Sequence, residues 1–216
     1  MGNTHKTKIE ELKTERPFVE ITAQFENRSY FVRSQFLEHY HFKDSYIDYY
    51  IDFIVQNALS IKKDNYLSDL VCFTIEFKLF DSRIIDTWNL LLKKSSSVVV
   101  KICILDYFNF CPRQKLPIQY VETISQMTTG NLRKIVKNQL FFNLIAFDER
   151  NEKFKILLFK SLKTTKDTRS IIRTMSCLNR LRSKKLVLEI KEHIKNLNLD
   201  FAGEKNKSYI MEKVSS

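Results

Sequence analysis

Phe73-Thr74-Ile75-Glu76-Phe77-Lys78-Leu79-Phe80-Asp81-Ser82 is the stretch on which the fold turns. Phe73, Ile75, Phe77 and Leu79 alternate with Thr74, Glu76, Lys78 and Phe80. A period of two places the first set on one face of a β-strand and the second on the other. One face is apolar and suited to a core. The other is polar and ends on an aromatic ring, with Asp81 at the strand end.

Upstream, Val19, Ile21, Ala23 and Phe25 alternate with Glu20, Thr22 and Gln24, which predicts a strand over 18–25. Glu26-Asn27-Arg28 is a polar turn, and Ser29–Phe36 reads as a second strand with Arg33 and Gln35 on its polar side. Within Asp44–Ile61, the spacing of Ile47, Ile51, Ile54 and Ala58 favours an amphipathic helix, with a strand as the alternative. Downstream, Ile84, Thr87, Trp88 and Leu91 give Arg83–Lys94 a helical stripe, and Val98–Asp106 is a very apolar strand. Tyr107–Pro117 follows as an aromatic and basic loop. Leu140–Phe147 and Lys153–Phe159 read as two strands joined by the polar hairpin loop 148–152. Two helical stripes close the chain: Ile171, Met175, Leu178 and Leu181, then Leu186, Ile190, Ile194 and Leu197. Asp167 or Thr168 caps the first.

This order predicts an α+β fold, predominantly a five-stranded β-barrel of the oligonucleotide/oligosaccharide-binding (OB) type. A helix lies between strands three and four, and helices follow at the C-terminus. The expected organisation is a flexible N-terminal arm at 1–16, the OB-fold domain at 17–163, C-terminal helices at 164–200 and a flexible tail at 201–216.

The 216 residues include 36 Lys+Arg against 25 Asp+Glu, a net charge of +11, and 12% are aromatic. Eleven of the basic residues, against three acids, fall between Lys160 and Lys195, so an excess of eight sits in that segment. Such a run suits phosphate attraction or nuclear import, or else forms a solvated helix face. With 3 glycines in the chain, a glycine-rich phosphate loop is excluded. No stretch approaches the roughly 18 consecutive apolar residues of a membrane span, and the polar start Met1–Lys6 does not read as a secretory signal. Cys72, Cys103, Cys111 and Cys177 form no C-x-x-C pair, so they read as reduced thiols. His39-x-His41 alone does not make a metal site. The sequence shows no nucleophile elbow and no carboxylate pair singled out by spacing. The chain is therefore expected to be non-enzymatic, without cofactor, metal or catalytic residues.

The segment Phe73–Ser82, the helix after it and Val98-Val99-Val100-Lys101-Ile102-Cys103-Ile104 resemble the core of the second OB fold of the protection-of-telomeres family. Ile21-Thr22-Ala23-Gln24-Phe25 resembles that family's first strand, and Phe142-Asn143-Leu144-Ile145-Ala146-Phe147 its closing region. The likeness spans roughly residues 17–180, and only the third-strand segment is close. In that family an aromatic–Asp step stacks on and reads a base of single-stranded telomeric DNA. The resemblance carries this role to Phe80 and Asp81, with Phe80 keeping the ring but lacking the hydroxyl of the usual tyrosine. The family pairs two OB folds, whereas this chain has room for one. The resemblance implies a nuclear, telomeric location, a G-rich single strand as ligand and telomere-complex proteins as further partners, while the lack of a long apolar stretch predicts no membrane association.

Composition supports the same ligand class, because a single strand needs cations along a groove and flat rings within it. The expected binding residues are Phe80, Asp81, Lys78, Arg33, Gln24, Arg83, Tyr107, Phe108, Phe110, Arg113 and Lys115. Each has a structural alternative. Phe80 suits core packing equally, the Tyr107–Phe110 cluster suits core or partner packing better than ligand contact, and Asp81 suits a helix cap equally. Two rival functions use the same residues. One is a protein-interaction module docking through the Tyr107–Phe110 loop or the Ile171–Leu181 helix. The other is an RNA binder.

Overall fold

The structure, a computed structural model, describes residues 47–60, 63–197 and 204–215. The expected arm at 1–16, the strands at 18–25 and 29–36, and the binding residues Gln24 and Arg33 lie outside the described residues.

The chain divides into two compact units, residues 1–115 and 116–216. Unit one contains α1 (Ile47–Ser60), α2 (Asp64–Glu76), α3 (Ser82–Lys94), α4 (Val98–Phe110) and a 3₁₀ turn at Arg113–Lys115. Here α1 packs on α3 and α2 on α4, while α1 also meets α2 and α3 meets α4. Short connections make successive helices antiparallel, so the unit is two helix hairpins laid together. Its core is built on Ile54, Leu70, Ile84, Trp88, Ile104 and Tyr107, all fully buried. Trp88 donates its indole N–H to Thr74 Oγ1 (3.1 Å), and the Thr74 hydroxyl donates to the Val71 carbonyl (2.7 Å).

Unit two contains α5 (Ile118–Met127), α6 (Lys134–Phe147), α7 (Glu152–Lys163), α8 (Thr168–Cys177), a 3₁₀ turn at Leu178–Arg180, α9 (Lys184–Lys195) and α10 (Glu204–Ser215). Its helix pairs repeat the same relation: α6 meets α8, α7 meets α9 and α8 meets α10, with α5–α6, α6–α7 and α9–α10 as sequential neighbours. Buried polar side chains tie these helices. Asn138 donates to Thr165 Oγ1 (3.1 Å) and accepts from the Ser161 hydroxyl, which joins α6 to the end of α7. Asn143 donates to the Tyr120 hydroxyl (2.7 Å) and accepts from Gln139 (3.1 Å), which joins α5 to α6. A buried amide with partners on a neighbouring helix fixes register as well as contact.

The five-stranded barrel is overturned: among the described residues there are ten α-helices and no strand. The alternation at Phe73–Phe80 comes from a helix end followed by a tight turn. Phe73–Glu76 is the last turn of α2, and Phe77 is its C-cap. Lys78 takes the left-handed conformation (φ 54°). Leu79 N–H donates to the Thr74 carbonyl (2.9 Å) and Lys78 N–H to the Ile75 carbonyl (3.1 Å), the Schellman arrangement that ends a helix. A strand would have turned Thr74 outward. Instead it is fully buried against Trp88.

Val98–Asp106, expected as a strand, lies in α4. Ser97 caps that helix through its Oγ, which accepts from Val100 N–H (3.4 Å). The β-branched run Val98–Val100 costs only a few tenths of a kcal/mol per residue in a helix, and burial of Val100, Ile102, Ile104 and Leu105 by the same helix outweighs it. The expected strand hairpin 140–159 is a helix hairpin, α6–α7. Asn138 through Ile145 are all buried, so α6 is covered all round and shows no amphipathic period. A continuous apolar run of that kind does not distinguish strand from helix. Residues 204–215, expected as a flexible tail, form α10 with Ile210 buried.

Candidate docking groove

An open groove in unit two, lined by lysines and apolar side chains, lies between α8, α9 and α10. Asp167 starts α8 by accepting from the N–H groups of Arg169 (3.1 Å) and Ser170 (3.2 Å). The helix then buries Ile171, Thr174 and Met175, and the 3₁₀ turn adds Leu178. Entry into α9 is held by two caps. Ser183 Oγ accepts from Leu186 N–H (3.2 Å), and the Glu149 carboxylate accepts from the N–H groups of Arg182 and Ser183 (both 2.8 Å). A carboxylate at a helix N-terminus also complements its dipole.

In this orientation α9 buries Leu186, Ile190 and Ile194, spaced i, i+4, i+8. A second face, Lys184, Val187, Leu188 and Lys191, lines an open groove of about 590 Å³. The groove floor is apolar, from Met175, Leu178, Leu181 and Val187. Leu188 stands at its edge with 64% of its surface exposed. On the α10 side Tyr209 and Lys213 complete the wall. The Tyr209 hydroxyl lies 3.2 Å from Ser176 Oγ, and Lys213 Nζ is 5.9 Å from the Tyr209 ring centroid, at the edge of cation–π range. Among the described residues, three lysines and no carboxylate line the groove.

The expected nucleic-acid residues gather elsewhere, at the α2–α3 corner of unit one, where they hold the fold. Tyr107 is fully buried, and its hydroxyl donates to the Leu79 carbonyl (2.8 Å). Phe108, 2% exposed, packs edge-on against it at 5.4 Å. Neither ring has a face open to a base. Phe80 is half-buried, its ring 5.5 Å from that of Tyr107, and its carbonyl accepts from Lys115 Nζ (3.0 Å). Asp81 is the N-cap of α3, accepting from Arg83 N–H (2.9 Å). Arg83 pairs with Asp81 (3.0 Å), Asp52 (2.9 Å) and Asp48 (2.8 Å), tying α3 to α1. The Arg83 hydrogen bond, with smaller help from its charge and that of Lys115, holds the Asp81 carboxyl below its usual range against the opposing effect of burial. Lys78 and Phe110 are exposed, and Arg113 is half-exposed in the 3₁₀ turn.

Leu178 and the basic run 160–195 were visible in the sequence as parts of a docking helix and a charged segment. Leu188, Tyr209 and Lys213 were not singled out. One signal was available for the first: Leu188 falls off the Leu186–Ile190–Ile194 stripe, on a second face spelled Lys-Val-Leu-Lys at i, i+3, i+4, i+7. Among the described residues no group of three His, Cys, Asp or Glu is placed to hold a metal, and no helix is long and apolar enough to cross a membrane. No family model matches the chain, and neither a curated protein nor a solved structure shows significant similarity to it.

Proposed function

We propose that the chain is a non-enzymatic docking module whose α8–α9–α10 groove receives a segment of a partner protein. The observation that carries this reading is the groove over Met175, Leu178, Leu181 and Val187, with Leu188 at its edge, a leucine with 64% of its surface exposed between Lys184 and Lys191. An apolar groove walled by helices is the usual receptacle for a peptide presenting spaced apolar anchors. The test is to pan a displayed library of helical peptides against the full chain and against Leu188→Asp. Because Leu188 is exposed, this change spares the core. Enriched peptides should bind the parent chain at least about tenfold more tightly than the variant. Equal binding to both, or no enrichment, sinks the reading.

A second reading is favoured by one specific observation. Lys160, Lys163, Lys166, Arg169, Arg182 and Lys185 are all exposed, and such a surface attracts nucleic-acid phosphates irrespective of base sequence. On that reading single-stranded DNA or RNA binds with a steep salt dependence and is insensitive to Leu188→Asp.

A further inference from the structure

We infer that the segment taken by the groove is an acidic amphipathic helix with two carboxylates flanking an apolar pair, spaced i, i+3, i+4, i+7. The inference rests on the docking reading above and adds the chemistry of the partner. It follows from the face that α9 turns to the groove. Lys184, Val187, Leu188 and Lys191 occupy i, i+3, i+4 and i+7 of one helix, so the two lysines stand about 10.5 Å apart along its axis at 1.5 Å per residue. Between them lies the apolar pair. The most direct complement is the same spacing with the charge reversed: an antiparallel helix whose apolar pair enters the floor and whose carboxylates meet Lys184 and Lys191. Lys213 on the opposite wall adds a third cation, and among the described residues no lining residue is acidic. A basic or neutral segment would offer Lys184 and Lys191 no counter-charge at the edge of an apolar contact.

The occupant is helical rather than extended for a reason of hydrogen bonding. An extended strand laid on this floor would bury unpaired backbone N–H and C=O groups, and the lining side chains come from helices whose own backbone groups are engaged internally. A helix carries its backbone hydrogen bonds with it and offers side chains alone. Met175 at the floor gives an unbranched, polarisable surface that accommodates differently shaped anchors.

The experiment measures fluorescence anisotropy of three labelled helical peptides with the full chain. They carry Glu-x-x-Leu-Leu-x-x-Glu, Lys-x-x-Leu-Leu-x-x-Lys or Gln-x-x-Leu-Leu-x-x-Gln on one alanine-rich background. The acidic peptide should bind at least about tenfold more tightly than the basic one, and its affinity should fall as salt rises from about 50 to about 300 mM. The double variant Lys184→Glu/Lys191→Glu should reverse the preference, so that the basic peptide is now favoured. Loss of charge would not by itself produce that exchange. Leu188→Asp should weaken all three. Equal binding of acidic and basic peptides to the parent chain, or an unreversed preference in the double variant, overturns the inference. If the glutamine peptide binds as well as the acidic one and in a Leu188-dependent way, the docking reading stands and the acidic partner falls. If no peptide binds in a Leu188-dependent way, both fall. The acidic inference also falls if only an oligothymidylate binds and its binding is abolished by Lys184→Glu/Lys191→Glu.

Discussion

Lys78 occupies a conformation that side chains with a Cβ avoid. At φ 54° it sits in the left-handed region, which costs a non-glycine residue roughly 1–2 kcal/mol. The position is the C′ residue of a Schellman turn, where glycine is the common occupant. The side chain is exposed, so little packing is lost on removing it. Lys78→Gly is expected to raise stability by about 0.5–1 kcal/mol, after allowing for the greater freedom of glycine in the unfolded chain. Chemical denaturation of the two proteins measures this directly, and a loss of stability would show that the lysine makes contacts that outweigh its strain. The substitution also bears on the reading of the sequence. A glycine at 78 would have announced a helix end, and lysine there leaves the alternation of Phe73–Phe80 looking like a strand.

At the scale of elements, α3 depends on its first turn. Asp81 caps it, and Arg83 joins it to α1 through Asp48 and Asp52. Because the folded carboxyl of Asp81 lies below its ordinary value of 3.8, folding favours its ionised form. The stabilisation is therefore fully present above that ordinary value and is lost as the pH falls through the lower folded value. Solvent screens the pair, so the contribution is at most about 1 kcal/mol. Asp81→Asn keeps a good capping residue but loses the charge. It should lower stability at neutral pH and flatten the decline below about pH 4. Denaturation midpoints across that range are the measurement, and identical profiles for the two proteins would refute the assignment.

Elements of this kind were unevenly legible. The helical stripes at Ile47–Ala58, Ile84–Leu91, Ile171–Leu181 and Leu186–Ile194 fall on helices, because each of those helices buries one face. α4 and α6 are covered on most sides, and a helix without a polar face leaves no period to read. The groove was half legible. Leu178 and the lysines of α9 are close in sequence, whereas Tyr209 and Lys213 reach the same wall from α10 by a packing that no local pattern encodes.

Over the whole molecule, the boundary between the compact units is also a boundary in charge. Residues 1–115 carry 16 Lys+Arg against 15 Asp+Glu, while residues 116–216 carry 20 against 10. Nearly all of the net +11 therefore belongs to the unit that holds the groove. An anionic partner is drawn to that unit over distances of about a Debye length, roughly 8–10 Å at physiological salt. Local pairing with Lys184, Lys191 and Lys213 then adds to an attraction already present.

Trp88 gives the protein a spectroscopic property. It is the single tryptophan of the chain, fully buried in unit one, its ring centroid 6.4 Å from that of Tyr107 in an edge-on arrangement. Emission excited at the red edge of absorption therefore reports the melting of that unit alone, while circular dichroism reports helices in both. Leu178→Ala removes packing from unit two and should cost about 2–4 kcal/mol there. The expected result is a dichroism curve that splits or shifts to lower temperature while the fluorescence midpoint stays in place. A joint shift of both signals would instead reveal a chain that melts as one cooperative body, with its lone indole acting as reporter for all of it.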